Sequence, residues 1–88
     1  MTSNSLSREA LQAIALEALT QVAPDLAEET IPPDADLREA YDLDSMDLLN
    51  WINALHKRLG VDIPEQDYPR LASLGAAADY LHRATRAG

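Results

Sequence analysis

Ser45 stands in the one segment of this chain that combines a nucleophilic group with clustered charge. The segment is Asp42-Leu43-Asp44-Ser45-Met46-Asp47, so three carboxylates flank the hydroxyl group. A serine hydroxyl becomes a strong nucleophile when a general base lies within hydrogen-bond reach. His56 is eleven residues further along the chain, or about 16 Å along a helix. The two side chains therefore cannot act as a catalytic pair within one chain.

Other catalytic chemistries lack the residues that they require. The chain has no cysteine, so it offers neither a thiol nucleophile nor a disulfide. Its two histidines, His56 and His82, are not paired at a ligand spacing, and its three glycines are too scattered for a phosphate-binding loop. The acidic residues between positions 34 and 47 lack the glycine and closing glutamate of a calcium loop. The sequence therefore predicts a non-catalytic protein with no metal site.

The charge of the chain is strongly negative and unevenly distributed. The 88 residues are enough for one small domain, and their formal net charge is −8. Residues 34–50 carry six acidic residues and one basic residue, a net charge of −5. This balance argues against binding to nucleic acid or to an anionic membrane surface. The acidic stretch is either a solvated loop or a docking surface for basic partners.

Hydropathy gives no sign of a membrane span or of a signal peptide. The longest unbroken apolar run has four residues, Ala13 to Leu16, which is far too short for either. We therefore expect the protein in the cytoplasm.

Three segments repeat mainly apolar residues at the spacing i, i+3, i+4, i+7 and i+11, which predicts helices with one core-facing stripe each. The stripes are Leu11, Ile14, Ala15, Ala18 and Val22; Leu48, Trp51, Ile52, Leu55 and Leu59; and, more weakly, Leu74, Ala77, Ala78, Leu81 and Thr85. Fifteen alanines and fourteen leucines, against six isoleucines and valines and no phenylalanine, also favour helix over strand.

The ends of these helices are marked by residues suited to capping. Ser7 and Ser73 are predicted to cap the first and the last helix. Either Asp44 or Ser45 can cap the second helix, and Gly60 is predicted to end it.

The predicted fold is all-α: a small four-helix bundle of three main helices and one short helix, with a long first loop. That loop spans residues 23–43, and we expect it to be packed, with one helical turn around residues 35–40. Another short turn is expected near residues 65–68. The helical domain is predicted to cover residues 7–84, with flexible ends at residues 1–6 and 85–88.

The junction at Ser45 has two interpretations. It is either an ordinary helix start capped by serine and aspartate, or a site for partners and for a phosphate group. Met46, Leu49 and Asn53 favour a partner site, since they lie roughly 100° to 160° around the helix from Leu48, away from the core stripe. A phosphate group is favoured by the free N–H groups and the macrodipole at a helix N-terminus.

The chain resembles the acyl carrier proteins, four-helix carriers that hold substrates on a phosphopantetheine arm. The residues Asp44-Ser45-Met46-Asp47 are similar to the Asp-Ser-Leu attachment motif of that family. The run Gly60-Val61-Asp62-Ile63-Pro64 resembles the end of its second helix and the Ile-Pro turn, and Ala77-Ala78-Asp79-Tyr80-Leu81 is similar to its last helix. Upstream, Leu37-Arg38-Glu39-Ala40-Tyr41 stands where the family has an apolar and acidic segment.

This resemblance implies a cofactor and a set of partners. Ser45 would carry 4'-phosphopantetheine, transferred from coenzyme A by a separate phosphopantetheinyl transferase. Asp44 would contact the metal ion bound by that transferase, and the working thiol would belong to the cofactor. Acyl-loading and acyl-transferring enzymes would dock on the remaining site residues, Asp42, Met46, Asp47, Leu49 and Asn53. The carrier is expected to be a monomer.

Some positions depart from the family pattern. Asp42 and Leu43 replace the usual Gly-Ala before the Asp-Ser pair, and Asn50, His56 and Lys57 stand where carriers of fatty acid synthesis usually have glutamates. A docking helix that is acidic at its start and basic at its end should select different partners. We therefore expect a specialised carrier that serves a dedicated lipid or secondary-metabolite pathway. An aminoacyl or peptidyl carrier and an unmodified helical interaction module stay open as alternatives.

Overall fold

Within residues 7–87, which the computed structural model describes, the chain folds into four α-helices and two 3₁₀ segments. The helices are α1 (Arg8–Val22), α2 (Leu37–Tyr41), α3 (Ser45–Leu59) and α4 (Leu74–Ala87). The 3₁₀ segments are Pro24–Glu28 and Glu65–Leu71. The predicted all-α bundle of three main helices and one short one is therefore confirmed.

The predicted flexible ends fall largely beyond the described part of the chain. Residues 1–6 and Gly88 lie outside the described residues. Helix α4 continues to Ala87, three residues past the predicted domain boundary at residue 84.

Ten of the fifteen residues in the three predicted stripes are buried in the core, whereas Ile14, Val22, Leu48, Leu59 and Thr85 are half-buried. At most 1% of the surface is exposed in five of the large core residues, namely Leu11, Trp51, Leu55, Leu74 and Leu81. Helix α1 packs against both α3 and α4. The Trp51 indole N–H donates a hydrogen bond of 2.9 Å to the Ala15 carbonyl oxygen, so the buried polar group of this ring has a partner. Six further residues complete the core from outside the predicted stripes: Leu19, Leu26, Leu37, Leu43, Val61 and Leu71.

The long first connection is held by main-chain hydrogen bonds to the start of α4. The Gly75 N–H donates to the Pro33 carbonyl oxygen at 2.7 Å, and the Leu37 N–H donates to the Ala72 carbonyl oxygen at 2.9 Å. A Cβ atom at position 75 would lie 3.0 Å from the Pro33 oxygen, so any other residue would require this part of the loop to move away. These bonds fix the position of α2, and hence of the junction between α2 and α3.

This connection contains more helix than the sequence predicted. The expected turn around residues 35–40 is present as α2, but the 3₁₀ segment Pro24–Glu28 was not predicted. It brings Leu26 into the core, and a proline at its first position suits a helical start. The turn predicted near residues 65–68 is also longer, since it extends through Pro69 to Leu71.

The predicted caps of the first and last helices are confirmed. The Ser7 hydroxyl accepts a hydrogen bond from the Ala10 N–H, and the Ser73 hydroxyl accepts one from the Ala76 N–H, both at 3.1 Å. Gly60 ends α3 in the left-handed conformation, with φ of 67°.

Two ion pairs join α1 to its neighbours. Arg8 pairs with Asp79 on α4, and Arg58 on α3 pairs with Glu17. The hydrogen bond from Arg8 is the main reason that the pKa of Asp79 is lowered. Over the part of the chain that the structure describes, no helix has the length and apolarity needed to cross a bilayer.

Candidate functional site

Helix α3 begins at Ser45, and Asp44 is its N-cap. The Asp44 Oδ1 atom accepts a hydrogen bond of 2.9 Å from the Asp47 N–H, and the Asp47 Oδ2 atom accepts one of 3.4 Å from the Asp44 N–H. This reciprocal pair is a capping box. The capping box decides between the two predicted caps, because the side chain that accepts a hydrogen bond from a main-chain N–H group of the first turn is that of Asp44 and not that of Ser45.

The Ser45 side chain is consequently left for other use. It is exposed, and its hydroxyl has no hydrogen-bond partner among residues 7–85. The Ser45 and Met46 N–H groups occupy the first two helical positions, which have no acceptor within the helix. An oxygen-rich anion attached to Ser45 would meet these donors and the positive end of the helix dipole. The local chemistry therefore fits a phosphodiester on this serine.

A largely apolar groove of about 470 Å³ starts beside Ser45. Leu48, Leu49 and Ile52 of α3 line one side of it, and the second 3₁₀ segment lines the other with Tyr68, Pro69 and Leu71. Its rim is polar and consists of Asp36, Arg38 and Glu65.

Four of the five predicted partner residues lie on α3, namely Met46, Asp47, Leu49 and Asn53. Met46 is the most exposed large apolar residue among those described, with 62% of its surface accessible, and Asn53 is also exposed. Leu49 is half-buried and lines the groove instead of projecting freely. Asp47 is half-buried in the capping box, so this carboxylate has a structural role as well.

Asp42 ends α2 in the left-handed backbone conformation, with φ of 57° and ψ of 31°. It is the only described residue other than glycine with a positive φ. Glycine adopts this conformation without a steric cost, and aspartate is among the few other residues that adopt it readily. Asp42 therefore suits the turn into Asp44 that this chain adopts.

His56 is engaged near the far end of α3. Its Nδ1 atom lies 2.7 Å from the Val61 carbonyl oxygen and 3.9 Å from an Asp62 carboxylate oxygen. The ring thus packs on the turn after the helix, at the opposite end from Ser45. Among the described residues, no three side chains of the metal-ligating types are grouped closely enough to hold an ion.

Sequence reasoning missed the residues that form the far wall and the rim of the groove. Tyr68 and Leu71 reach α3 only because Pro64 and the 3₁₀ segment turn the chain back towards it. Arg38 is the one basic residue of the acidic stretch, but the sequence did not predict that it lines the same groove as Ser45. The apolar spacing of residues 63, 68 and 71 was the available signal.

Comparison with known proteins places this chain in a family. A family model described as "Phosphopantetheine attachment site" matches residues 9–81. The acyl carrier protein of Acidothermus cellulolyticus is 27% identical over 81 residues, which is 92% of this chain and 95% of that protein. The acyl carrier protein of Rubrobacter xylanophilus is 32% identical over 54 residues, which is 61% of this chain and 67% of that protein. No solved structure gives a significant match. The chain therefore belongs to the acyl carrier protein family, whose cofactor is phosphopantetheine.

Proposed function

We propose that Ser45 is the point at which 4'-phosphopantetheine is attached, and that the chain carries acyl groups as thioesters between partner enzymes. The observation that carries this proposal is the division of roles at the start of α3. Asp44 caps the helix, which leaves the Ser45 hydroxyl exposed beside free main-chain donors. The thiol that the cofactor supplies forms the thioester with the acyl group.

The attachment itself is a phosphoryl transfer that the chain undergoes but does not catalyse. The Ser45 Oγ atom would attack the pyrophosphate of coenzyme A, forming one P–O bond and breaking another, with 3',5'-ADP as the leaving group. The hydroxyl proton passes to a base of the phosphopantetheinyl transferase, because the site offers no histidine near Ser45. Asp44 still has its Oδ2 atom free of hydrogen bonds to the described residues, and this oxygen would contact the metal ion of the transferase.

An in vitro modification assay tests the proposal. The purified chain is incubated with coenzyme A and a transferase of broad specificity, and its intact mass is measured. We expect a gain of one phosphopantetheine group, which Ser45→Ala abolishes. Asp44→Asn keeps the capping oxygen but loses the negative charge, so it should fold normally and be modified more slowly. An unchanged mass of the natural chain, or a gain that persists in Ser45→Ala, would refute the proposal.

The outer face of α3 supports a dedicated pathway and not housekeeping fatty acid synthesis. This face begins with Met46 and continues with the exposed amides Asn50 and Asn53. It ends with the exposed side chains of His56 and Lys57. A partner with a uniformly basic docking surface would be attracted at one end and repelled at the other.

Charge reversal tests this specialisation. Acyl-loading enzymes of housekeeping fatty acid synthesis should load the holo chain poorly, and Lys57→Glu combined with Asn50→Glu should improve loading. Lys57→Gln serves as the control that only removes charge. Efficient loading of the natural chain by those enzymes would argue against a dedicated role.

The type of load is the next choice to test. The acidic surroundings of Ser45, including Asp47, favour an acyl carrier over an aminoacyl or peptidyl carrier. Loading assays with defined acyl and aminoacyl donors separate the two, and transfer of aminoacyl groups alone would contradict our choice.

A second candidate function rests on Met46. An apolar side chain that is 62% exposed beside a charged cluster is also what an unmodified interaction module would present. Under that function, Ser45→Ala would leave the protein active in cells and Met46→Glu would inactivate it. Under the carrier function, Ser45→Ala inactivates it as well.

The partners follow from the carrier role. They are the phosphopantetheinyl transferase and enzymes that load and transfer acyl groups. We expect the chain to meet them in the cytoplasm as a monomer, with no part for nucleic acid or membrane. Tethering the thioester raises its effective concentration at each partner enzyme.

A further inference from the structure

Arg38 is the single cation of the acidic stretch that surrounds Ser45. Residues 34–50 contain six carboxylates besides this guanidinium. Even so, no carboxylate of the described residues lies within ion-pair distance of Arg38, whereas Arg8 and Arg58 are both paired. Arg38 is exposed on α2. Its charge is therefore free to meet an anion at this position.

The placement of Arg38 connects it to Ser45. Arg38 lines the groove of about 470 Å³ that begins at Ser45. It also lines a second cavity, of about 630 Å³, together with Asp36, Asp42 and Asp44. Because it borders both spaces, Arg38 is shared by the acidic cluster and by the groove that Ser45 lines.

We infer that Arg38 is a positioning residue that pairs with the phosphodiester attached to Ser45. This inference rests on the proposed function of Ser45. A phosphodiester adds one negative charge next to Asp42, Asp44 and Asp47, which repel it. A guanidinium group binds phosphate oxygens in a bidentate manner and keeps its charge at any physiological pH. Arg38 thus offsets the repulsion and directs the first atoms of the arm towards the groove instead of into solvent.

The rest of the site leaves this role to Arg38. The free Ser45 and Met46 N–H groups can donate hydrogen bonds to the phosphate oxygens, but these neutral groups cannot compensate the negative charge of the phosphate. The other charged groups on the rim of the groove, Asp36 and Glu65, are carboxylates that repel a phosphate.

The test is a cycle of apo and holo chains with the natural sequence, Arg38→Ala, Arg38→Lys and Arg83→Ala. Arg83 is an exposed arginine of α4 that does not line the groove, so its removal changes the net charge equally. Unfolding by denaturant is followed through the fluorescence of Trp51, the single tryptophan. The ³¹P resonance of the phosphodiester reports the local contact directly.

The quantity to compare is the ratio of the unfolding equilibrium constant of the holo chain to that of the apo chain. At low ionic strength, Arg38→Ala should raise this ratio by about two- to five-fold, because only the holo chain loses an ion pair. Arg83→Ala should leave that ratio unchanged, and Arg38→Lys should raise it by less. The ³¹P resonance should shift in Arg38→Ala and not in Arg83→Ala, and added salt should remove the difference.

The outcomes separate this inference from the function on which it rests. A holo chain whose stability ratio and ³¹P resonance are the same in Arg38→Ala and in Arg83→Ala would overturn the pairing, while Ser45 stays the attachment point. Failure of the natural chain to gain phosphopantetheine would overturn both.

Discussion

The left-handed backbone of Asp42 makes the junction before Ser45 a sensitive point for stability. Asp42 ends α2 with φ of 57°, and its exposed carboxylate stands in a stretch with a net charge of −5. Replacement by glycine keeps the turn and removes both the side chain and the charge. We therefore expect Asp42→Gly to stabilise the protein without changing its fold.

The magnitude follows from the backbone. A residue with a Cβ atom loses about 1–2 kcal/mol in the left-handed conformation. Glycine avoids that cost but loses more chain entropy on folding, which takes back about 0.5–1 kcal/mol. Asp42→Gly should therefore be about 0.5–1 kcal/mol more stable than Asp42→Ala. For a domain of this size, that is a difference in Tm of about 2–8 °C.

Thermal unfolding of matched variants isolates the backbone contribution. Asp42→Gly, Asp42→Asn and Asp42→Ala all remove the same charge, so their differences report on the conformation alone. The expected order of Tm is glycine, then asparagine, then alanine. Gly60→Ala, at the other left-handed position, should lower the free energy of unfolding by a similar amount. An Asp42→Ala chain as stable as Asp42→Gly would refute the reasoning.

Three further predictions concern contacts away from the attachment site. The Tyr80 hydroxyl donates a hydrogen bond of 2.7 Å to Asp67, and burial, together with this bond, raises the pKa of Tyr80 to about 12. The folded pKa lies above the unfolded value, so the stabilisation is complete below about pH 10 and is lost as the pH rises towards 12. Tyr80→Phe should lower the free energy of unfolding by about 1 kcal/mol at pH 7 and should abolish the decrease in stability between about pH 10 and 12. Denaturant titrations at several pH values would show both effects. Gly75→Ala places a Cβ atom 3.0 Å from the Pro33 oxygen and should destabilise the chain by about 1–3 kcal/mol, whereas an unchanged denaturation midpoint would mean that the loop is not held there. Magnesium or moderate salt should raise the Tm because a net charge of −8 repels itself in the folded state, and a flat salt titration would contradict this.

Residues with a strong periodic or capping signal were predictable from the sequence. The stripe around Trp51 and Leu55 repeats at helical spacing, so its burial follows from that pattern. Ser7 and Gly60 act where local chemistry alone decides, at a helix start and a helix end. The exposed position of Met46 also follows from its angle to the stripe.

Features that depend on contacts between distant segments were not predictable in this way. Asp44 and Ser45 are both good capping residues, and only the reciprocal bond with Asp47 distinguishes them. The 3₁₀ segment Pro24–Glu28 has a proline and a single buried leucine, which is too weak a pattern to identify. The groove beside Ser45 is lined jointly by α3 and the second 3₁₀ segment, and sequence spacing does not report that the two elements face each other.

The central claim is that Ser45 holds the phosphopantetheine arm in the cell. Its most direct test is the mass of the protein purified from its native cells, followed by fragmentation of the peptide that contains Ser45. The carrier function predicts one phosphopantetheine group on this residue, released as a pantetheine fragment on dissociation. A chain that is recovered wholly unmodified from cells with an active phosphopantetheinyl transferase, or that bears the group on another residue, would contradict the claim.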